Sequence, residues 1–212
     1  MSNLVQAVTT LQYVKGRMPL DSSDNKSTRP DLIAQDPQSQ QDRRDRQQAK
    51  KDKLDSIRAH HRCPSRTQDA TPKNVLYYGA FAIAAGAGNC LEMSCASVWH
   101  LNEGGRFNYD MVYYPGANVP GQGVRDHIFV VIGQNSDGNG DFPTDFNAWD
   151  ADAAICDVWA DIACPARDYP ARWRARMSNW RYTGLLIANR LPTDNMWANL
   201  VDQPKKSYLQ PV

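Results

Sequence analysis

The sequence predicts an α+β domain running from about residue 72 to residue 212, behind a polar N-terminal leader over residues 1–71. Three observations predict it. An apolar helical stretch, Val75 to Ala84, leads through the turn Gly86-Ala87-Gly88-Asn89 into a second helical stretch, Leu91 to Leu101. Two short apolar runs, one over Ile128 to Ile132 and one over Ala154 to Ala160, read as buried strands. From Pro19 to Thr71 the chain contains no Phe, Trp or Tyr and is dominated by Ser, Asp, Asn, Gln, Lys and Arg, so it offers little apolar surface to offset the entropy of ordering.

Taken in order, Leu4, Val5, Val8, Leu11 and Val14 recur at helical intervals, and the pattern predicts a short amphipathic helix that packs on the core or binds a partner. Within the leader, Gln41 to Arg62 has good helix formers and mixed charges and reads as a solvated helix in an otherwise largely mobile segment. Thr71-Pro72 is a helix start, and Tyr77 and Tyr78 are expected to pack in the helix that follows. Gly104 and Gly105 end the second helix. Phe107 to Tyr114 reads as a half-exposed strand, and Pro115 to Gly123 as a loop that walls a cleft beside His127. Asn135 to Asp141 has the alternating oxygens of a calcium loop, but the twelfth position, where an EF-hand needs glutamate, is Phe146; a polar hairpin loop is the better reading. Pro165 to Arg181 carries five arginines with Trp173 and Trp180, either a basic aromatic binding surface or, as the commoner pattern, a solvated helix face with its tryptophans turned inward. Leu185 to Ala188 reads as a final strand, and Met196, Trp197 and Leu200 as a helical turn before a polar tail.

The 212 residues, 42% hydrophobic and 22% charged, suffice for one domain with a sizeable core plus extra segments. A formal charge of +1 gives no general attraction to nucleic acid, and no apolar stretch approaches the roughly 20 residues of a membrane span. The first residues lack a basic start followed by a continuous apolar run, so no Sec signal is expected. Cys63, Cys90, Cys95, Cys156 and Cys164 are odd in number and irregularly spaced, which fits reduced thiols; a Cys156–Cys164 disulfide is the alternative.

Chemistry concentrates in three places. Cys90 opens a helix, where unpaired N–H groups and the positive end of the helix dipole favour a thiolate. His127 begins an apolar strand and supplies a base, and Asp157 on the second short strand supplies an acid to orient the imidazole. Cys90, Cys95 and His100 do not make a metal site, because steps of five residues turn a helix roughly 140° beyond a full turn and spread the side chains apart.

GNCLE (Gly88 to Glu92), DHIFVVIG (Asp126 to Gly133) and ICDVWA (Ile155 to Ala160) resemble the three motifs of papain-like and transglutaminase-like cysteine domains found in bacterial toxins and injected effectors. The similarity covers roughly residues 75 to 165. It implies an antiparallel sheet with the cysteine helix packed on it, Cys90 as nucleophile, His127 as general base and Asp157 as orienting acid. Two departures stand out: Val158 occupies a position where many relatives have proline, and the separation of His127 from Asp157 is long, which keeps Asp150 as an alternative to Asp157. Asn89 or a nearby loop would add a second oxyanion donor to the Cys90 N–H.

The resemblance implies a cofactor-independent acyl-transfer enzyme that acts on a protein, as a glutamine deamidase or else as a protease or transglutaminase. It implies a bacterial effector or toxin, secreted by a non-Sec route into a target-cell cytoplasm, with action in the bacterial cytoplasm as the alternative; the polar leader reads either as an export or chaperone-binding segment or as a plain solvated arm. A non-catalytic binding module on the same fold is the reading from another class, and it predicts ordinary Cys90 reactivity.

Overall fold

In a computed structural model of the chain, residues 1–19, 23, 25–29, 37–59, 62–64, 67–106, 108–115, 127–188 and 190–209 are described. They build a mixed α+β structure with antiparallel sheets. The helices are α1 (Asn3–Arg17), α2 (Pro37–Arg58), α3 (Pro72–Ala85), α4 (Cys90–Glu103), α5 (Tyr169–Tyr182) and a single turn, α6 (Asn195–Ala198). The strands are β1 (Lys26–Thr28), β2 (Tyr109–Tyr113), β3 (Ile128–Ile132), β4 (Asp141–Phe142), β5 (Ala154–Asp157), β6 (Ile162–Pro165), β7 (Leu185–Ile187) and β8 (Lys205–Ser207).

The main sheet has the order β4-β8-β2-β3-β5-β6 with every pairing antiparallel, and β1 and β7 form a separate pair. β3 is buried along its whole length, as its unbroken apolar run requires. α1 and α4 pack against β3 and β5. α3 and α4 meet at a bend of 108° and approach so closely that a Cβ on Gly79 would lie 2.1 Å from the Cys95 carbonyl oxygen. Only hydrogen fits there. Among the described residues no single helix is long and apolar enough to cross a membrane.

The expected boundary at residue 71 separates segments that share one core. Ser2 caps α1 by accepting from the Val5 N–H, and Ala7, Leu11 and Val14 are buried where α1 meets α4, β5 and β6. In α2 the sparse apolar residues Leu54 and Ile57 are buried, while the rest of the helix is laced with i,i+4 pairs such as Gln41–Asp45 and Gln48–Asp52. The solvated helix expected over Gln41 to Arg62 thus begins at Pro37, ends at Arg58 and is anchored by these two side chains.

α3 starts where Thr71-Pro72 predicts, with the Thr71 hydroxyl accepting from the Asn74 N–H. Tyr78 is fully buried, but Tyr77, on the other side of the helix, is 46% exposed. α5 turns Tyr169, Trp173, Met177 and Trp180 inward and leaves Arg172 and Arg174 in solvent. The strand expected over Phe107 to Tyr114 spans Tyr109–Tyr113 and is more buried than expected, because β3 and β8 flank it.

Two expectations are corrected, and of the two readings of Cys156 and Cys164 the reduced one holds. Asn135 to Asp141 is no hairpin loop: β3 and β4 are not neighbours, and the turn is closed by Asp137 Oδ1 accepting from the N–H groups of Asn139 and Asp141, both at 2.8 Å. Leu185 to Ala188 is not the last strand, since β8 follows and inserts between β4 and β2. Its Lys205 is buried and donates to the carbonyl oxygens of Thr144 (2.7 Å) and Gln203 (3.0 Å). Cys156 and Cys164 are both free thiols, and the register pairs Cys156 with Ala163 and Cys164 with Ile155, which puts the two sulfurs on opposite faces of the sheet.

Candidate active site

The turn before α4 is held by a buried carboxylate. Gly86 ends α3 with φ +68°, and a Cβ on Gly88 would lie 2.3 Å from Glu92 Cβ, so both positions need glycine. Glu92 is fully buried; its Oε2 accepts from the Asn89 N–H at 2.9 Å, and its Oε1 from Tyr78 Oη at 3.1 Å and Arg58 Nε at 2.9 Å. Asn89 is therefore fixed as the N-cap, and Cys90, half-buried, becomes the first residue of the helix. Its place in the first turn puts it at the positive end of the α4 dipole. One turn on, Ser94 Oγ donates to the Ile128 carbonyl at 3.0 Å, which ties the start of α4 to the residue after His127.

His127 and Asp157 meet through strand register. Val130 lies opposite Cys156 and Val131 opposite Ile155. Continued one step, the same register sets Asp157 across from Phe129, on the face of the sheet that His127 shares, one diagonal away. His127 Nε2 lies 2.7 Å from Asp157 Oδ2, with both side chains 1% exposed. Asp157 Oδ2 also accepts from Tyr169 Oη at 2.7 Å, and Oδ1 from the Ala160 N–H at 3.0 Å. Burial pushes the Asp157 carboxyl up, but the His127 charge and the bonds from His127, Tyr169 and Ala160 outweigh it and hold it below the ordinary carboxylate value. An ionised carboxylate only accepts, so Nε2 carries the proton and the lone pair of a neutral imidazole falls on Nδ1.

The imidazole is walled by rings: Trp173 at 4.9 Å, Trp159 at 5.0 Å and Phe129 at 6.1 Å between centroids. Tyr169, besides bonding Asp157, packs on Phe129 at 5.0 Å. Such a setting keeps the His127–Asp157 bond out of water and strengthens it.

Of the residues expected at the site, His127 and Asp157 are in direct contact, and Asn89 and Cys90 open the helix that packs on β3; Asp150 joins neither. It is exposed beyond the turn before β5, with its N–H donating to Gln134 Oε1 at 2.7 Å, and the long separation of His127 from Asp157 is taken up by β4 and the 3-10 turn Phe146–Ala148. The Asn89 N–H is committed to Glu92 and its Oδ1 lies 2.5 Å from Ser23 Oγ, so a second oxyanion donor from this residue would be the side-chain amide Nδ2. The loop expected to wall the cleft, Pro115 to Gly123, lies outside the described residues beyond Pro115. Among the described residues no three His, Cys, Asp or Glu side chains are disposed to hold a metal, and His100 is stacked on Tyr13 at 4.1 Å.

Sequence reasoning gave no role at the site to Tyr169, Trp159, Trp173, Glu92 or Lys26. Two signals were available, Trp159 two residues after Asp157 within the third motif and Glu92 three residues after Asn89, the spacing of a capping box; the others come to the site only through tertiary packing. No protein-family model matches the chain, and no curated protein or solved structure is detectably similar to it.

Proposed function

We propose that this protein is a cysteine-dependent acyl-transfer enzyme of the papain-like or transglutaminase-like class, a bacterial effector or toxin that deamidates a glutamine of a target protein. The observation that carries the reading is the buried His127–Asp157 pair, at 2.7 Å, beside a helix that begins with Cys90. An imidazole with Nε2–H held by a carboxylate presents Nδ1 as a base, and a thiol at a helix N-terminus is the kind of nucleophile such a base serves.

The chemistry is a two-step exchange. Nδ1 of His127 takes the Cys90 proton, and Sγ attacks the glutamine Cδ, with the developing oxyanion facing the Cys90 N–H. The tetrahedral intermediate collapses as His127 returns the proton to nitrogen, the C–N bond breaks, and ammonia leaves a thioester. Water, deprotonated by His127, then cleaves the C–S bond to give glutamate and the Cys90 thiol.

The test is a comparison of wild type and Cys90→Ala after incubation with cell lysate, followed by peptide mass mapping. Glutamine-to-glutamate conversions confined to wild type are the expected result. New N-termini confined to wild type would replace deamidation by proteolysis, and identical maps would contradict acyl transfer to or from lysate proteins.

A further inference from the structure

The N-terminal segment reaches the candidate centre. β1 pairs with β7, and Ala188 N–H donates to the Asn25 carbonyl at 2.7 Å, which fixes residues 25–28 beside the β5–β6 turn. Ser23 is buried against Asn89, the residue before Cys90, and Trp159 Nε1 lies 3.3 Å from Ser23 Oγ and 3.2 Å from Asn25 Oδ1. Lys26 is buried too. Its Nζ donates to the Trp159 carbonyl at 2.5 Å and sits 4.3 Å from the Trp159 ring centre and 4.6 Å from that of Trp180. The same Trp159 ring packs on His127.

Four charged or ionisable groups act on Lys26: Asp157 from β5, Cys90 from α4 and Asp161 from the β5–β6 turn favour its ammonium, and Arg176 from α5 opposes it. Asp161 is already paired with Lys15 and Arg176, and Asp157 with His127. A buried ammonium with one carbonyl acceptor and two indole faces is costly to fold, and an apolar side chain of similar length would fill the same space at less cost.

We propose that Lys26 is a positioning residue of the Cys90–His127–Asp157 centre: held by the Trp159 carbonyl between two indoles, its charge supports the Cys90 thiolate, and the N-terminal segment is therefore part of the reactive site. The inference rests on the function proposed above. Burial pulls the Lys26 ammonium down to about 7 against the attraction of Asp157 and Cys90, so the support is present below neutral pH and fades above it. The linkage has a definite sign. Between about 7 and 10.5 the unfolded chain holds a proton that the folded chain does not, so Lys26 makes stability rise with pH in that window, and its burial cost is fully present below it.

The test is the rate of Cys90 alkylation by iodoacetamide from about pH 5 to about pH 9 in wild type, Lys26→Met and His127→Ala, with circular dichroism confirming fold. Lys26→Met is expected to label about tenfold more slowly near pH 6, to converge with wild type near pH 9, and to melt at a higher temperature at low pH. A wild-type thiol that is activated and depends on His127, with a Lys26→Met profile superimposed on it, overturns this inference alone; a wild-type thiol without activation overturns the proposed function as well. If Lys26→Met does not fold, the Lys26 titration is followed by NMR in the otherwise native chain and in Cys90→Ser. Loss of the thiolate is expected to move its midpoint down, and an unchanged midpoint overturns the proposal.

Discussion

Asp157→Asn is expected to reduce turnover about 10³–10⁴-fold on any amide substrate the wild type processes, while the protein stays folded. The argument is one of donors and acceptors. Asp157 receives Nε2–H and the Tyr169 hydroxyl on Oδ2 and the Ala160 N–H on Oδ1. An asparagine has one oxygen for these three donors. If its NH₂ faces Ala160, two donors oppose each other in a buried site. If it faces His127, Nε2 must become the acceptor and the proton moves to Nδ1, which can then no longer take the Cys90 proton. The ¹⁵N shifts of the His127 ring distinguish these outcomes: the wild type should show Nε2–H, and the variant the reversed tautomer. Turnover within about threefold of wild type would remove Asp157 from the mechanism.

Glu92→Ala carries the largest expected effect on stability, a loss of about 3 kcal/mol, equivalent to a drop of about 10 °C in melting temperature. Removing the carboxylate strands the Asn89 N–H in the interior, at about 1–3 kcal/mol, and takes from the Tyr78 hydroxyl its oxygen acceptor, leaving it Cys63. Arg58 adds less, because its side chain is 40% exposed and can turn to water. The loss also reaches the site, since the Asn89 N–H is what sets the turn into Cys90. Glu92→Gln, which keeps the shape and one acceptor, is expected to lose less stability than Glu92→Ala. Thermal melts of the three proteins read this directly, and an unchanged melting temperature in Glu92→Ala would contradict the role of Glu92 as the clamp of the turn.

The parts of the fold legible in the sequence are those whose local pattern and tertiary fate agree. Thr71-Pro72, the glycines before Cys90 and the unbroken run Ile128–Ile132 each carry their own signal, and α3, α4 and β3 follow from them. β1 and β8 carry none. Lys26-Ser27-Thr28 and Lys205-Lys206-Ser207 are too short and too polar to read as strands, and they are strands because β7 and β2 present free edges to them. The candidate site divides along the same line. Cys90 and His127 stand out by position, at a helix start and before a buried strand. The choice between Asp150 and Asp157 needed register, because only the pairing of β3 with β5 shows which acid shares a face with His127. Lys26 and Tyr169 owe their roles to partners distant in sequence, so no local spacing announces them; Glu92 stands at the capping-box spacing from Asn89, but its bonds to Tyr78 and Arg58 come from the fold.

The most direct measurement of the central claim is the pH dependence of Cys90 alkylation by iodoacetamide, in wild type and in His127→Ala. An activated thiolate pair predicts rapid labelling that persists to about pH 6 in wild type and is lost without His127. Labelling that rises only near about pH 8.5, identically in the two proteins, would contradict it and leave the fold as a binding module.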